Sequence, residues 1–247
     1  PLFVTTLLNF ASILATENGT KITISDLQNG TKLLDGTTVS GPITITLNKG
    51  ESYVLALQNY NDGSTVSNSS KIIGALVSSD KPVVVNSGSF GGSNSVVMGI
   101  NPNGGLAPVG RDLGFDQIVS LEKTGKEYVF VKGIGTDELE RVLLVAHSDN
   151  TQIFLNGNAT PFTTLNEGEY IALDGSQFIN GNLYVNATEN LFAYQSIGGS
   201  DSPANQNLFF VPPINCSTPN TVDNIPQIQS IGYTTFNGII NIVTESG

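Results

Sequence analysis

The chain has 247 residues and a formal net charge of −11 at pH 7, from 10 Lys or Arg against 21 Asp or Glu. Phosphate-rich partners are bound by basic surfaces, so this balance excludes nucleic acid and anionic membrane surfaces. One Cys, one His and no Trp exclude a disulfide framework and a Cys/His zinc site, and a charged fraction of only 13% indicates a surface built from Ser, Thr, Asn and Gly.

The first predicted element is a strand at Phe10–Thr16, inside an apolar run that begins at Pro1. The run lacks the basic segment with which a signal peptide begins, so a strand is the preferred interpretation. The sequence contains no stretch of the roughly 18–20 apolar residues that a membrane-spanning helix needs. We therefore expect no direct membrane insertion by this sequence.

Four segments recur in the same order along the sequence, which indicates an internal repeat. The pairs are Ala15–Thr20 with Ala146–Thr151, Thr46–Tyr53 with Thr164–Tyr170, Ser79–Val85 with Thr188–Ala193, and Leu106–Val109 with Phe209–Pro212. A third copy is predicted near the end, where Gly238–Gly247 resembles Ile13–Gly19. The predicted organisation is one β repeat unit at 1–120, a second at 121–220 and the start of a third at 221–247.

Short alternating runs separated by Asn, Asp and Gly turns predict the strands of the second unit. These are Glu127–Lys132, Val142–Ala146, Gln152–Leu155, Phe162–Thr164, Tyr170–Leu173, Leu183–Asn186, Leu191–Gln195 and Leu208–Val211. One helical turn is predicted in each of Leu121–Lys126 and Thr136–Arg141. Units of about 100–130 residues are too long for propeller blades, so the fold class is predicted to be all-β, with tandem β-sandwich-like repeats.

The segment that joins the two units, near Ser120–Lys126, is short and is not rich in Pro or Ser. A flexible linker has the opposite composition, so the two units are expected to share an interface. Arg111–Gln117 is predicted to pack between them, with Arg111 pairing with nearby Asp side chains.

Several long stretches, taken together and in order, resemble one known family. They are Asn9–Thr20, Ile73–Pro82, Asn86–Gly92, Gly110–Gln117, Glu127–Gly133 and Ala204–Pro213. The sequence resembles the IgGFc-binding-protein N-terminal-like domain over nearly its whole length. That resemblance implies a module of very large surface proteins of gliding bacteria that use type IX secretion. It supplies no catalytic motif, and IgG binding is not transferred on the name.

The residues capable of catalysis are few. His147 has Asp149 two residues on, but no G-x-S-x-G motif supplies a serine, and the repeat places Thr16 at the equivalent position. Cys216 follows an apolar segment and is expected to be a small buried thiol. Glu138 and Glu140, beside Arg141, are expected to form a solvated face. We expect the protein not to be an enzyme.

Two stretches are candidates for binding. Asn86–Ser95 is rich in Gly and Ser and is predicted to be a flexible loop at a sandwich edge, whose Ser89, Phe90 and Asn94 are the candidate ligand contacts. No cofactor is expected. Calcium takes oxygen ligands from Asp- and Asn-containing loops such as Asn61–Gly63 and Arg111–Asp116, but the sequence contains no EF-hand-type loop.

Two functions follow as hypotheses, with hydrolysis third. The first is a non-catalytic module of a large bacterial adhesin on the cell surface, used in attachment and gliding. Its partners would be a surface or polysaccharide and the neighbouring repeats. The second is a carbohydrate-binding module of a secreted protein, with Tyr53, Tyr170 and Tyr184 as the aromatic candidates; the sequence match places Tyr53 and Tyr170 at equivalent positions. An exposed aromatic strip would favour the second, and converging carboxylates in a cleft would favour hydrolysis.

Overall fold

The computed structural model describes residues 9–57, 72–92, 98–100, 106–108, 112–197, 208–215, 221, 230–231 and 234–235. Within these ranges the regular structure is β-strand, apart from three single-turn 3₁₀ helices. Two of the helices, Leu121–Lys123 and Asp137–Leu139, confirm the predicted helical turns, and the third is Gly175–Gln177. The all-β class is confirmed.

The first half of the protein forms two antiparallel sheets. Their strands are β1 (Asn9–Ala15), β2 (Thr20–Ser25), β3 (Ile43–Leu47), β4 (Ser52–Ala56), β5 (Leu76–Ser79), β6 (Val83–Gly92) and β9 (Asp112–Ile118). One sheet has the order β4-β1-β6-β9 and the other the order β3-β2-β5. A separate hairpin joins β7 (Met98–Ile100) to β8 (Leu106–Pro108). Ile13, Ile22, Leu55 and Leu57 are fully buried in the core of this half.

The second half repeats this arrangement around one long strand. Its strands are β10 (Gly125–Val131), β11 (Arg141–Ala146), β12 (Thr151–Leu155), β13 (Thr163–Leu165), β14 (Tyr170–Asp174), β15 (Asn182–Ser196) and β16 (Phe209–Phe210). The first part of β15 lies between β12 and β10, and the last part lies between β11 and β16. β15 therefore takes the positions of β5 and β6 together, and its two parts belong to opposite layers of one sandwich.

The predicted strands of the second half are confirmed to within about two residues, with one difference. Leu183–Asn186 and Leu191–Gln195 belong to the single strand β15. Thr188 and Glu189, which lie between the two predicted strands, are both held by Lys126, whose Nζ donates to Thr188 O and lies 3.2 Å from Glu189 Oε2. The register of β15 against β10 shifts here, so this part of β15 is a bulge within one strand.

The repeat is preserved down to individual hydrogen bonds at one corner of each sandwich. Asn48 N donates to Glu51 Oε2 at 2.7 Å, and Asn166 N donates to Glu169 Oε2 at 2.7 Å. Two buried threonines are also equivalent: Thr20 follows the turn from β1 to β2, and Thr151 follows the turn from β11 to β12. Thr20 Oγ1 donates to Glu17 O at 2.8 Å, and Thr151 Oγ1 donates to Ser148 O at 2.6 Å. These contacts confirm the sequence match at Ala15–Thr20 with its partner, and they confirm the match that begins at Thr46 as far as Glu51.

The expected equivalence of Tyr53 and Tyr170 is wrong by one residue. Tyr53 lies opposite Ile13, while its counterpart on β14 is Ile171, which lies opposite Leu144. Because side chains alternate across a strand, Tyr53 and Ile171 pack against the cores and Tyr170 points to the other face.

The strand β9 connects the two halves. It pairs with β6, and the Oδ2 of its Asp116 accepts a hydrogen bond of 2.6 Å from Phe210 N of β16. The predicted packing of this segment between the units is confirmed for these residues, whereas Arg111 lies outside the described residues. The predicted third unit, 221–247, is described only at Thr221 and in the short pair β17 (Ser230–Ile231) and β18 (Thr234–Thr235).

Candidate functional site

The predicted binding loop is mostly a strand. Asn86–Gly92 belongs to β6, which lies between β1 and β9, so the expectation of an exposed flexible loop is wrong for these residues. Ser89 is buried, with only 5% of its surface exposed, and it pairs with Asn9 and Gly114. Phe90 also belongs to β6, but the structure describes only its backbone, and Asn94 lies outside the described residues. A ligand role for these three residues stays a prediction.

The glycine content that suggested a loop has a packing cause at Gly88. A Cβ atom built there would lie 2.2 Å from Gly114 O and 2.4 Å from Phe115 Cβ, both on the neighbouring strand β9. The rings of Phe10 and Phe115, which flank Gly88 in the sheet, have centroids 6.3 Å apart. Gly88 therefore permits close approach of β9 and of two aromatic rings, which is a role of glycine within sheets.

The structure describes all of the candidate catalytic residues except Cys216. His147 is half-buried like Thr16, as the repeat predicts, and its ring packs edge-on to Phe192 with centroids 6.5 Å apart. Cys216 lies outside the described residues. The expectation that Glu140 belongs to a solvated face is wrong, because the residue is fully buried next to the 3₁₀ turn that ends at Leu139.

The proposed calcium ligands are tested only in part. Asn61–Gly63 lies outside the described residues, and Asp116 accepts main-chain hydrogen bonds from Phe210 and Gln117. Across the ranges given above, the structure brings no three His, Cys, Asp or Glu side chains together in a metal-binding arrangement. The expectation of no cofactor, with calcium as its alternative, stays untested.

The three candidate tyrosines differ in where their rings lie. Tyr53 packs against the first core, and burial raises the pKa of its hydroxyl. Tyr170 is half-buried on the outer face of β14. Tyr184 lies on the outer face of β15, where it belongs to a cluster of polar and apolar side chains. We therefore take Tyr184 and its neighbours as the candidate binding site.

We call this cluster the β10 face: Glu127 and Val129 of β10, Tyr184 and Asn186 of β15, and Phe154 of β12. The five are placed by strand alternation, because their neighbours Tyr128, Leu183, Val185, Ile153 and Leu155 point into the core. Asn186 lies directly between Glu127 and Phe154 in the sheet, and Val129 lies opposite Tyr184. All five are half-buried, so the face is accessible to a ligand.

A hydrogen-bond network holds the polar part of this face. The Tyr184 hydroxyl donates to Glu127 Oε1 at 2.7 Å, and Asn186 Nδ2 donates to the same oxygen at 3.4 Å. The hydrogen bond to the Glu127 carboxylate, with some contribution from burial, raises the pKa of Tyr184. The backbone beneath is held by Asn156, whose N donates to Tyr184 O at 2.8 Å and whose Oδ1 accepts from Tyr184 N at 3.2 Å.

The apolar part continues into a shallow groove beside β10. The groove has a volume of about 370 Å³ and is lined by Val129, Val131, Gln195, Ile197 and Phe209–Pro212. Gln195 is buried there and its Nε2 donates to Val131 O at 2.7 Å, so the amide fixes the wall of the groove. The β10 face thus offers an aromatic ring, a carboxylate and an amide beside an apolar channel, a combination suited to a ligand with both hydroxyls and C–H faces.

Sequence reasoning identified Tyr184 but missed Glu127, Asn186 and Phe154. The alternation in Glu127–Lys132 and Leu183–Asn186 predicts which residues face outward. It does not predict that these two strands are neighbours, because the residues that bond across them are far apart in the sequence: Tyr184 and Asn186 lie 57 and 59 positions from Glu127.

Within the described ranges, the structure contains no helix with the length and hydropathy of a membrane span.

The two sandwiches define an all-β, sandwich-like protein. A family model described as IgGFc binding protein matches residues 5–247. The match extends over nearly the whole sequence, so the chain belongs to the IgGFc-binding-protein family, a family of extracellular binding modules. No curated protein and no solved structure matches it.

Proposed function

We propose that this protein is a non-catalytic module of a large bacterial cell-surface adhesin that serves in surface attachment and gliding. The observation that carries this proposal is the family match over residues 5–247, which spans both sandwiches. A surface with few charges and a net charge of −11 also suits a long exported protein, because like charge keeps it soluble and discourages nonspecific binding of polyanions.

In this proposal each module makes a weak contact, and repetition supplies the strength. Linked weak sites gain about 10²–10⁴ in avidity when they engage one surface together. The β10 face is the contact surface, with Tyr184 stacking on a sugar ring and the Glu127 and Asn186 side chains bonding its hydroxyls.

The second candidate is a selective carbohydrate-binding module, and the β10 face is the observation that favours it. The two functions differ in selectivity rather than in location. An adhesin contact is expected to be weak and spread over several polysaccharides, whereas a dedicated carbohydrate-binding module is expected to prefer one.

The test is retention of the purified protein on a polysaccharide panel, on bare glass and on immobilised IgG Fc, each with calcium and with a chelator. The Tyr184→Ala variant is expected to lose most retention, while Tyr184→Phe keeps the ring and loses the hydroxyl bond to Glu127. Ile134→Ala is the matched control, because this side chain is 62% exposed in the same half of the protein and lies outside the β10 face.

Weak retention on several polysaccharides that depends on Tyr184 supports the adhesin proposal, and strong retention on one glycan supports the second candidate. Retention that Tyr184→Ala leaves unchanged contradicts the assignment of the β10 face. Retention on IgG Fc alone contradicts both candidates. A requirement for calcium contradicts the expectation that the protein needs no cofactor and favours the Asp- and Asn-containing loops as ligand sources.

A further inference from the structure

The β10 face holds a carboxylate that is not neutralised by a cation of the described residues. Glu127 forms no ion pair in the ranges given above. Lys126, the residue before it, pairs with Glu189 at 3.2 Å. Lys132, just after β10, pairs with Asp137. A half-buried carboxylate without a cation gives this face a local negative potential.

Only one of the two oxygens of this carboxylate is used within the protein. Oε1 accepts from the Tyr184 hydroxyl at 2.7 Å and from Asn186 Nδ2 at 3.4 Å. Oε2 accepts no hydrogen bond from the residues that the structure describes. Because an ionised carboxylate has about four lone-pair sites, Glu127 keeps capacity for donors that come from outside the protein.

The donors of the face are turned inward, toward this carboxylate. The Tyr184 hydroxyl has one hydrogen, which it donates to Glu127. That bond is the main cause of the raised pKa of Tyr184, so the hydroxyl stays protonated and stays a donor to Glu127. The Asn186 amide acts on this pKa in the opposite direction, as a donor near the phenol oxygen does, which leaves its Oδ1 as an acceptor. The centre of the face therefore presents acceptors to a ligand rather than donors.

Apolar surface lies beside these acceptors. Val129 of β10 lies opposite Tyr184. Phe154 of β12 lies opposite Asn186. Phe162, which is 50% exposed, immediately precedes β13, the strand on the far side of β12. A ligand on this face meets rings and C–H surface next to oxygen acceptors, which suits a sugar ring that carries a hydrogen-bond donor.

The charge of the ligand decides how strongly such a donor is held. An ammonium group brings three donor hydrogens and an opposite charge, so it bonds a carboxylate more strongly than a neutral hydroxyl does. It is also attracted to the face of an aromatic ring such as that of Tyr184. A sugar carboxylate or sulfate brings only acceptors and meets the like charge of Glu127. The net charge of −11 acts in the same direction at longer range.

We propose that the β10 face is selective for glycans that carry free amino groups. The ammonium group of an amino sugar is bound by Glu127 Oε2 and Asn186 Oδ1, and the sugar ring stacks on Tyr184. Neutral glycans bind more weakly, and acidic glycans bind most weakly. This inference rests on the proposed function, because it names the class of polysaccharide that the contact surface takes.

The test measures the binding of four oligosaccharides of equal length to the full 247-residue protein by calorimetry. They are an oligomer of glucosamine, its N-acetylated form, the corresponding oligomer of glucose and an oligomer of a uronic acid. At about pH 6, amino groups are largely protonated and carboxyl groups are ionised. We expect the glucosamine oligomer to bind at least about tenfold more tightly than the acetylated and glucose oligomers.

Three variants separate charge recognition from ring stacking. Glu127→Gln keeps the size of the side chain and is expected to reduce the preference for the amine about tenfold, while the affinity for the glucose oligomer changes less than about threefold. Glu122→Gln is the matched control, because Glu122 is exposed in the turn before β10, outside the β10 face, and its loss changes the net charge equally. Tyr184→Ala is expected to weaken the binding of all four. In the unaltered protein, the side-chain amide signal of Asn186 is expected to shift when the glucosamine oligomer binds.

Four results would overturn the proposal. Equal affinity for the amine and acetylated forms, with binding that still depends on Tyr184, refutes the selectivity and leaves the proposed function intact. Equal loss of preference in Glu127→Gln and Glu122→Gln means that the net charge attracts the amine. An oligolysine peptide that binds as tightly as the glucosamine oligomer, and loses binding in Glu127→Gln, means that the face takes a cationic peptide. Absence of binding to all four oligosaccharides contradicts the proposed function as well.

Discussion

The hydroxyl of Tyr128 is buried at the point where β10 meets the bulge of β15. It donates to Leu191 O at 2.5 Å and accepts from Gly125 N at 2.8 Å. Burial raises the pKa of Tyr128 to about 12, which is the behaviour of a phenol kept from water. The Tyr128→Phe variant keeps the ring and its packing but leaves the backbone N–H of Gly125 and the backbone carbonyl of Leu191 without this partner.

A buried polar group that loses its partner costs about 1–3 kcal/mol. Because Leu191 O is fully enclosed and Gly125 N is partly so, we expect Tyr128→Phe to lower the free energy of unfolding by about 2 kcal/mol. For a urea dependence of about 2 kcal/mol/M, the midpoint of the transition to which β10 contributes falls by about 1 M.

The assay is urea denaturation followed by circular dichroism, with exchange of the amides of β10 as a local readout. Tyr184→Phe is the matched control, because it removes a tyrosine hydroxyl from the same strand pair at the half-buried β10 face. Its cost is expected to stay below about 1 kcal/mol. If Tyr128→Phe costs no more than Tyr184→Phe, the reasoning that burial decides the cost is refuted.

Three further outcomes are expected. Gly88→Ala forces a Cβ against the backbone of β9, so we expect it to lower the free energy of unfolding by about 1–3 kcal/mol. Gly41→Ala is the control, because its Cβ would meet open space and the free energy of unfolding should stay nearly unchanged. Equal values for the two variants in thermal melts would contradict the close approach of β9 to Gly88. Thr151→Val removes a buried hydroxyl bond and is expected to cost about 1 kcal/mol by the same measurement; no cost would mean that this corner contributes nothing. Burial raises the pKa values of Tyr128 and Tyr194 to about 12. Their neutral forms therefore stabilise the fold below pH 10, and this stability is lost as the pH rises from about 10 to 12. Tyrosinate absorbance of these two residues near pH 10 without unfolding would contradict the raised pKa values.

Local features of this protein were predictable. Strand alternation places Tyr128 and Phe130 inward and Glu127 outward, and positive φ at Asn156 and Gly157 follows from the Asn-Gly pair in the turn after β12. The turn between β3 and β4 was also predictable, because the hydrogen bond that holds it joins Asn48 to Glu51, only three residues further on.

The Gly- and Ser-rich stretch of β6 was not predictable as a strand. By composition it is typical of a loop, and only the approach of β9 and the ring of Phe115 gives Gly88 a place inside a sheet. The burial of Glu140 is not predictable from the sequence for a similar reason, because it follows the turn at Asp137–Leu139, which packs against Gly175–Gln177.

The candidate site, like the fold, was predictable from the sequence only in part. Tyr184 is an outward residue by alternation alone, but its bond to Glu127, which lies 57 positions away in the sequence, exists because β10 pairs with β15. The sequence by itself determined the strand content, the repeat and which side chains face outward, since these depend on neighbouring residues and on a period of two. The tertiary structure alone decided which strands are neighbours and which edge is closed by β10, because pairing register is selected by burial of the whole core and not by any local segment.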